Sequence, residues 1–172
     1  MLSFHGSTSD KDTGEAELLR QVEEFKKADV STGLFEGEKH PGTEYTVAQI
    51  GAVHEFGSED GRVPERSWLR RSFRENVSRW QHYVEQGLER IILSKGKVKA
   101  LPVLLFVGEQ IASDVRRTID AVTSPPKAAS TLRKEGKKYT HPLIWLGYMK
   151  AAVRSRVVVD GAKKLTSKGA RR

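Results

Sequence analysis

The sequence predicts an α+β fold: a small antiparallel sheet packed against two long helices plus shorter helices, with extended loops and a flexible basic C-terminal tail. Three observations predict it. β-like segments occur toward each end, VSTGLF at residues 30–35 and RSRVVV at Arg154–Val159. Between them run two long stretches with apolar residues at helical spacing. At 172 residues the chain has the length of one domain with one core. That single domain is expected over residues 14–160. A flexible N-terminal arm is expected at residues 1–13 and a flexible basic tail at 161–172, where five side chains are positive and none negative.

The elements follow in order. Residues 15–28 (EAELLRQVEEFKKA) read as a helix, with Leu18, Leu19, Val22 and Phe25 on one face and Lys26–Lys27 closing it in keeping with the macrodipole. The strand at 30–35 is followed by the turn residues EGEKHPG. Residues 47–56 (VAQIGAVHEF) read as a short helix, on Val47, Ile50 and Val53 or His54. Residues 57–63 are a loop. Pro64 or Ser67 then opens the longest helix, which runs to about Leu93. Its apolar stripe is Leu69, Phe73, Val77, Trp80, Val84, Leu88 and Ile91, which places Trp80 in the core; Gly87 weakens the helix locally.

A second long helix is expected at 102–122. Leu101, Leu104, Leu105, Gly108, Ile111, Ala112, Val115 and Ile119 form its broad face, Pro102 is tolerated at its start, and TSPP ends it. The basic segment 127–141 shows no buried face and reads as a long loop. Residues 143–153 read as a short helix leading into the last strand.

Composition narrows the function classes. The chain has no cysteine, so disulfides and thiolate metal sites are excluded. The longest apolar run, residues 100–108, is about half a membrane span. The first residues lack the pattern of a secretory signal, and the chain reads as soluble with no membrane contact. Net charge is +8, unevenly spread. Residues 1–60 hold five Lys/Arg against thirteen Asp/Glu, a net of −8, and residues 61–172 hold twenty-five against nine, a net of +16. Such asymmetry points to an acidic partner such as DNA, or to acid-to-base association between copies.

No enzyme is expected, and no catalytic residue, metal or cofactor. His54–Glu55 lacks the second histidine one helical turn on, since Ser58 stands there, and the five histidines show no ligand spacing. No nucleophile elbow, phosphate loop or dinucleotide fingerprint occurs. Lys127, Arg133, Lys134, Lys137 and Lys138 make a basic loop able to face DNA without sequence preference. The arginines of residues 66–74 are expected to pair with acids, within or between subunits.

The order of short motifs resembles the tail-completion, or minor tail, proteins of tailed double-stranded-DNA bacteriophages, which are related to phage virion morphogenesis proteins. Ala48, Ile50, Glu55, Phe56 and Gly57 match an "A-x-I-x-x-x-x-E-F-G" segment. Pro64, Arg66, Trp68, Leu69 and Arg70 match "P-x-R-P-F-L-R", with Ser67 where proline is usual. Pro125–Pro126, then Ser130, Thr131 and Lys134, then Pro142, Leu143, Ile144 and Gly147 follow in the family's order. Trp145–Leu146 stand where Asp-Thr is usual. The similarity spans about residues 15–159.

The resemblance implies a structural protein of the virion neck or proximal tail. It would form a six- or twelvefold homo-oligomeric ring that joins head to tail around the DNA channel. It would be made in the host cytoplasm, with connector or adaptor, tail terminator, and tail tube or sheath proteins as partners. Subunit contacts are then expected at His54, Glu55, Phe56, Gly57, Arg62, Pro64, Arg66, Trp68, Arg70 and Trp145, with the loop 58–62 free to touch a neighbour. The alternative is an accessory protein that binds DNA non-specifically through loop 127–138 and the tail.

Overall fold

The computed structural model describes residues 12–135, 140–144, 146–159 and 163–166. Their elements are α1 (Asp12–Lys26), β1 (Ala28–Gly33), α2 (Val47–Phe56), α3 (Leu69–Leu93), α4 (Ala100–Ala121), α5 (Ala129–Glu135), α6 (Tyr148–Ala152), β2 (Arg154–Val159) and β3 (Lys163–Thr166). The class is α+β, as the sequence predicts. The sheet is antiparallel in the order β1-β2-β3, so β2 is central. Ala28 lies opposite Val159 and Gly33 opposite Arg154, which joins the two ends of the chain directly.

α4 is the middle layer. One side lies on β1 and β2, the other on α3, and α1 packs against both long helices. The side on the sheet depends on Gly108. A Cβ there would meet Ser155 Cβ at 2.8 Å and Val30 Cγ1 at 3.3 Å, so only a glycine lets the helix lie this close. From β2, Ser155 and Val157 point inward and are fully buried. Two apolar clusters result. The first gathers Ala112, Val115 and Ile119 of α4 with Val47, Trp68, Leu143, Met149 and Val153. The second gathers Leu104 of α4 with Phe25, Ile91, Ala100 and Val157.

The α3–α4 contact also has a polar clasp. Asp114 of α4 is buried, and its carboxylate accepts from Trp80 Nε1 at 2.9 Å. Its other oxygen meets Arg79 Nη2 at 3.0 Å and Arg117 Nη2 at 2.9 Å. A buried carboxylate needs such partners, because burial without them is costly. Arg116 ties α4 to the start of β2, donating to the Val153 carbonyl at 2.7 Å and to Glu109 at 2.7 Å.

Several expectations need correction. α3 begins at Leu69, later than Pro64 or Ser67, because its first N–H groups are fixed by a carboxylate from α2. Its apolar stripe is only partly covered: Ile91 is buried, whereas Phe73 is 57% exposed and Val84 39%. Trp80 is half-buried on the Asp114 clasp instead of in the core. Leu19, expected on the buried face of α1, is exposed, and Gln21 is buried in its place. The first strand is Ala28–Gly33, two residues ahead of the expected 30–35.

Within the expected loop 127–141, residues 129–135 are helical. The helix expected at 143–153 is confined to Tyr148–Ala152, after Leu146 and Gly147 in left-handed conformations. Four residues of the expected tail form β3 and pair with β2; the rest of that tail, and residues 1–11 of the expected arm, lie outside the described residues.

Asp114→Ala strands the Trp80 and arginine donors and is expected to cost about 2 kcal/mol. The midpoint of urea denaturation, followed by tryptophan fluorescence, measures it.

Candidate functional site

α3 opens without a cap of its own. Trp68 stands at the N-cap position, and its side chain caps nothing. The first turn of a helix has unpaired N–H groups and a positive end, so something must satisfy it. Glu55, in the last turn of α2, does so. It accepts from Leu69 N at 2.7 Å, Arg70 N at 3.1 Å, Arg70 Nε at 2.8 Å and Ser67 Oγ at 3.2 Å. Glu55 is only 3% exposed. Burial pushes its carboxyl up, but the hydrogen bonds from Leu69 N–H, the Arg70 side chain and N–H, and Ser67 outweigh that and hold it below the usual carboxylate range. Arg70 also reaches the Glu55 carbonyl and Glu65, and its guanidinium lies 4.8 Å over the Phe56 ring.

Arg66 makes the second tie. Its Nε donates to the Pro125 carbonyl at 2.7 Å and its Nη2 to the Pro126 carbonyl at 2.9 Å. Its backbone N–H donates to the His54 carbonyl at 2.7 Å. The Ser124–Pro125 peptide is cis. Trp68 fills the core beside α2 and donates from Nε1 to the Gly51 carbonyl at 3.1 Å. Gly57 ends α2 at φ +82°, where a Cβ would press on the Val63 carbonyl and the Glu65 N–H, both at 3.2 Å. The neighbouring E-F-G and P-x-R-x-W-L-R segments thus meet the P-P segment, distant in sequence, at one interlocked corner.

A cleft of about 300 Å3 opens on this corner. His40, His54, Arg62, Pro64, Arg66, Lys127, Thr131, Leu143 and Met149 are among the side chains that line it. Arg66 Nη1 lies 3.4 Å from His54 Nδ1. A guanidinium can only donate, so Nδ1 accepts and the ring proton sits on Nε2. Burial, then the charges of Arg66 and Lys127, push His54 down to about 4. The imidazole is therefore neutral near pH 7.

The expected contact residues divide into two groups. Glu55, Arg66 and Trp68, expected at a subunit interface, are buried inside the chain and hold it together. His54 and Pro64 are partly buried in the cleft wall. Phe56 is 65% exposed, while Arg62 is exposed and paired with Asp60 at 3.2 Å. The loop 58–62 is internally tied: Asp60 accepts from Ser58 Oγ at 2.6 Å and from Arg62 N at 3.0 Å. Lys127, expected to face DNA, is in the cleft wall; Arg133 and Lys134 are exposed on α5. Trp145, Lys137 and Lys138 lie outside the described residues.

The sequence reading missed Gln21, whose side chain accepts from Ala100 N at 2.7 Å and so caps α4. It also missed the Thr46–Gln49 capping box that starts α2, for which the T-x-x-Q spacing was an available signal. Among the described residues no three His, Asp or Glu side chains form a metal-binding group, and no helix is long and apolar enough to cross a membrane. Comparison with known protein families, characterised proteins and solved structures finds no match for this chain.

Glu55→Ala is expected to cost about 2–3 kcal/mol by stranding buried donors, read as a lower urea midpoint. The two neighbours also give separate pH windows. Unfolded His54 binds a proton near pH 6.5 and the folded ring near 4. Stability therefore falls on acidification from about pH 6.5 to 4, and His54→Asn flattens that slope. Glu55, depressed in the fold, contributes stability that is present above its unfolded pKa of about 4.3 and lost as pH falls through its folded value. Glu55→Gln removes that lower window. Urea midpoints measured from pH 3 to 8 check both.

Proposed function

We propose that this chain is a structural subunit of a tailed-phage virion, assembled as a homo-oligomeric ring at the neck or proximal tail that joins head to tail around the DNA channel. The motif order supports the family reading, and one structural observation carries the assembly. Exposed apolar side chains sit at the two ends of α3. Phe56 and Phe73 are 65% and 57% exposed at its start, and Ile92 and Leu93 are 48% and 74% exposed at its end. At 1.5 Å per residue, Phe73 and Leu93 are about 30 Å apart along the helix. A head-to-tail ring needs two different patches on each subunit, held at a fixed separation. A helix clamped by Glu55, with α4 along its side, is a rigid spacer for that purpose.

Phe73 also lines a groove of about 590 Å3 with Leu69, Trp80, Ile111 and Val30, beside the outer strand β1. Large exposed aromatics beside an apolar groove are the composition expected of interface anchors. A second reading, non-specific DNA binding, rests on Arg133 and Lys134, both exposed at the end of α5. Its signature is duplex binding that weakens steeply with salt.

Light scattering tests the first reading. The purified protein, alone or with its virion neighbours, is expected to form a large closed oligomer. Phe73→Asp and Leu93→Asp, at opposite ends of α3, are each expected to abolish it while leaving the helical circular-dichroism signal unchanged. A wild-type protein that stays monomeric at high concentration with those neighbours present refutes the reading.

A further inference from the structure

Arg66 is 4% exposed, and its side-chain partners are two carbonyls and a neutral imidazole. Among the described residues none of them is a carboxylate. A buried charge without a counter-charge is costly, because neutral acceptors offset only part of the lost hydration. Desolvation accordingly pulls the guanidinium below its ordinary value. This charge lies in the wall of the 300 Å3 cleft, where Arg62, Lys127 and the Thr131 side chain join it and, among the described residues, no carboxylate lines it. Glu55, the nearest acid in sequence to His54, is spent on the start of α3. Asp60 is turned to Arg62 and Ser58.

We propose that this cleft is a binding site for a tetrahedral oxyanion of the phosphate or sulfate class, held by Arg66 and Lys127 with Thr131 as a hydroxyl partner. The volume, at the lower limit of ligand pockets, suits a small group. The anion supplies the counter-charge that Arg66 lacks. The same chemistry is offered by free inorganic phosphate and by a phosphodiester of nucleic acid. The site does not depend on ring assembly and is open to test on any oligomeric form of the protein.

His54 is the built-in reporter. Burial sets most of its lowered value, and the charges of Arg66 and Lys127 add to it; an anion beside Arg66 offsets that added part. Sulfate is the probe, because it stays a dianion over the pH range used. Its general stabilising effect on proteins makes a melting temperature unsuitable, so a site-resolved signal is needed. The His54 side-chain resonances of the full chain are titrated in sodium sulfate and in sodium chloride at matched ionic strength. His54 is expected to titrate about one pH unit higher in sulfate. Lys127→Ala and Lys127→Glu, compared salt against salt within each variant, are expected to lose most of that difference.

Equal titration of wild-type His54 in the two salts overturns the proposal. So does a sulfate response that persists in full in both Lys127 variants. Repeating the titration with inorganic phosphate and with a short DNA duplex assigns the source. A response to phosphate but not to duplex marks a free anion, and a response to duplex at micromolar concentration marks a nucleic-acid backbone.

Discussion

The carboxylate of Glu55 at the start of α3 is the contact on which the rest of the corner depends. A 25-residue helix opens there on Trp68, a residue that cannot cap it. The orphan N–H groups must find an acceptor or the first turn frays. By supplying that acceptor from α2, the chain fixes the angle between two helices as well as the first residue of the second. Everything between them is then constrained. The loop must turn at Gly57, Trp68 must arrive beside Gly51, and Arg66 must point away from α3 toward Pro125 and Pro126. One hydrogen-bonded carboxylate thus couples local helix formation to tertiary packing.

α4 repeats the device with a neutral group. Its N-cap residue, Lys99, also makes no capping bond, and Gln21 of α1 supplies the acceptor to Ala100. Both long helices are therefore started by side chains of other elements. Neither start forms fully until its neighbour has docked, so the pieces gain stability together. The Asp114 clasp then fixes the two helices side by side. These three polar ties are buried or nearly so, and each matches a charged or strongly polar group to specific donors. They select one arrangement where apolar contact alone would allow helices to slide.

This also explains which parts were legible from sequence. α2 and β2 matched their expected bounds because periodicity and chain breaks mark them. The class followed from two long stripes and two end strands. The start of α3 was not legible, because its cap lies fourteen residues upstream on another helix and no local residue signals it. Trp68 was expected at a subunit contact; it is buried in the core, where its indole N–H donates to the Gly51 carbonyl. Phe73 and Val84 kept strict helical spacing with the buried Ile91, but spacing reports a face and cannot report whether anything covers it. Glu55, Arg66 and Trp68 were expected at a subunit contact; in the structure they join segments of one chain.

The charge asymmetry changes meaning in the same way. Read along the chain, −8 against +16 looks like a reserve for neighbours. In space, part of it is used internally: Glu17 pairs with Lys99, Glu38 with Arg154 and Glu55 with Arg70. The acidic first third is folded back onto the basic remainder. Unlike the buried Glu55, the more exposed pairs Glu17–Lys99 and Glu38–Arg154 contribute little to stability, so their main effect is to neutralise the flank where they lie. Among the described residues, Arg133 and Lys134 of α5 are exposed, and Arg66 is buried in the cleft with no carboxylate among its partners. An assembly built from this chain would meet its neighbours mainly through the uncovered aromatics and leucines of α3, with charge setting register more than strength. The basic cleft, set behind the Glu55 corner, is left to a different kind of ligand.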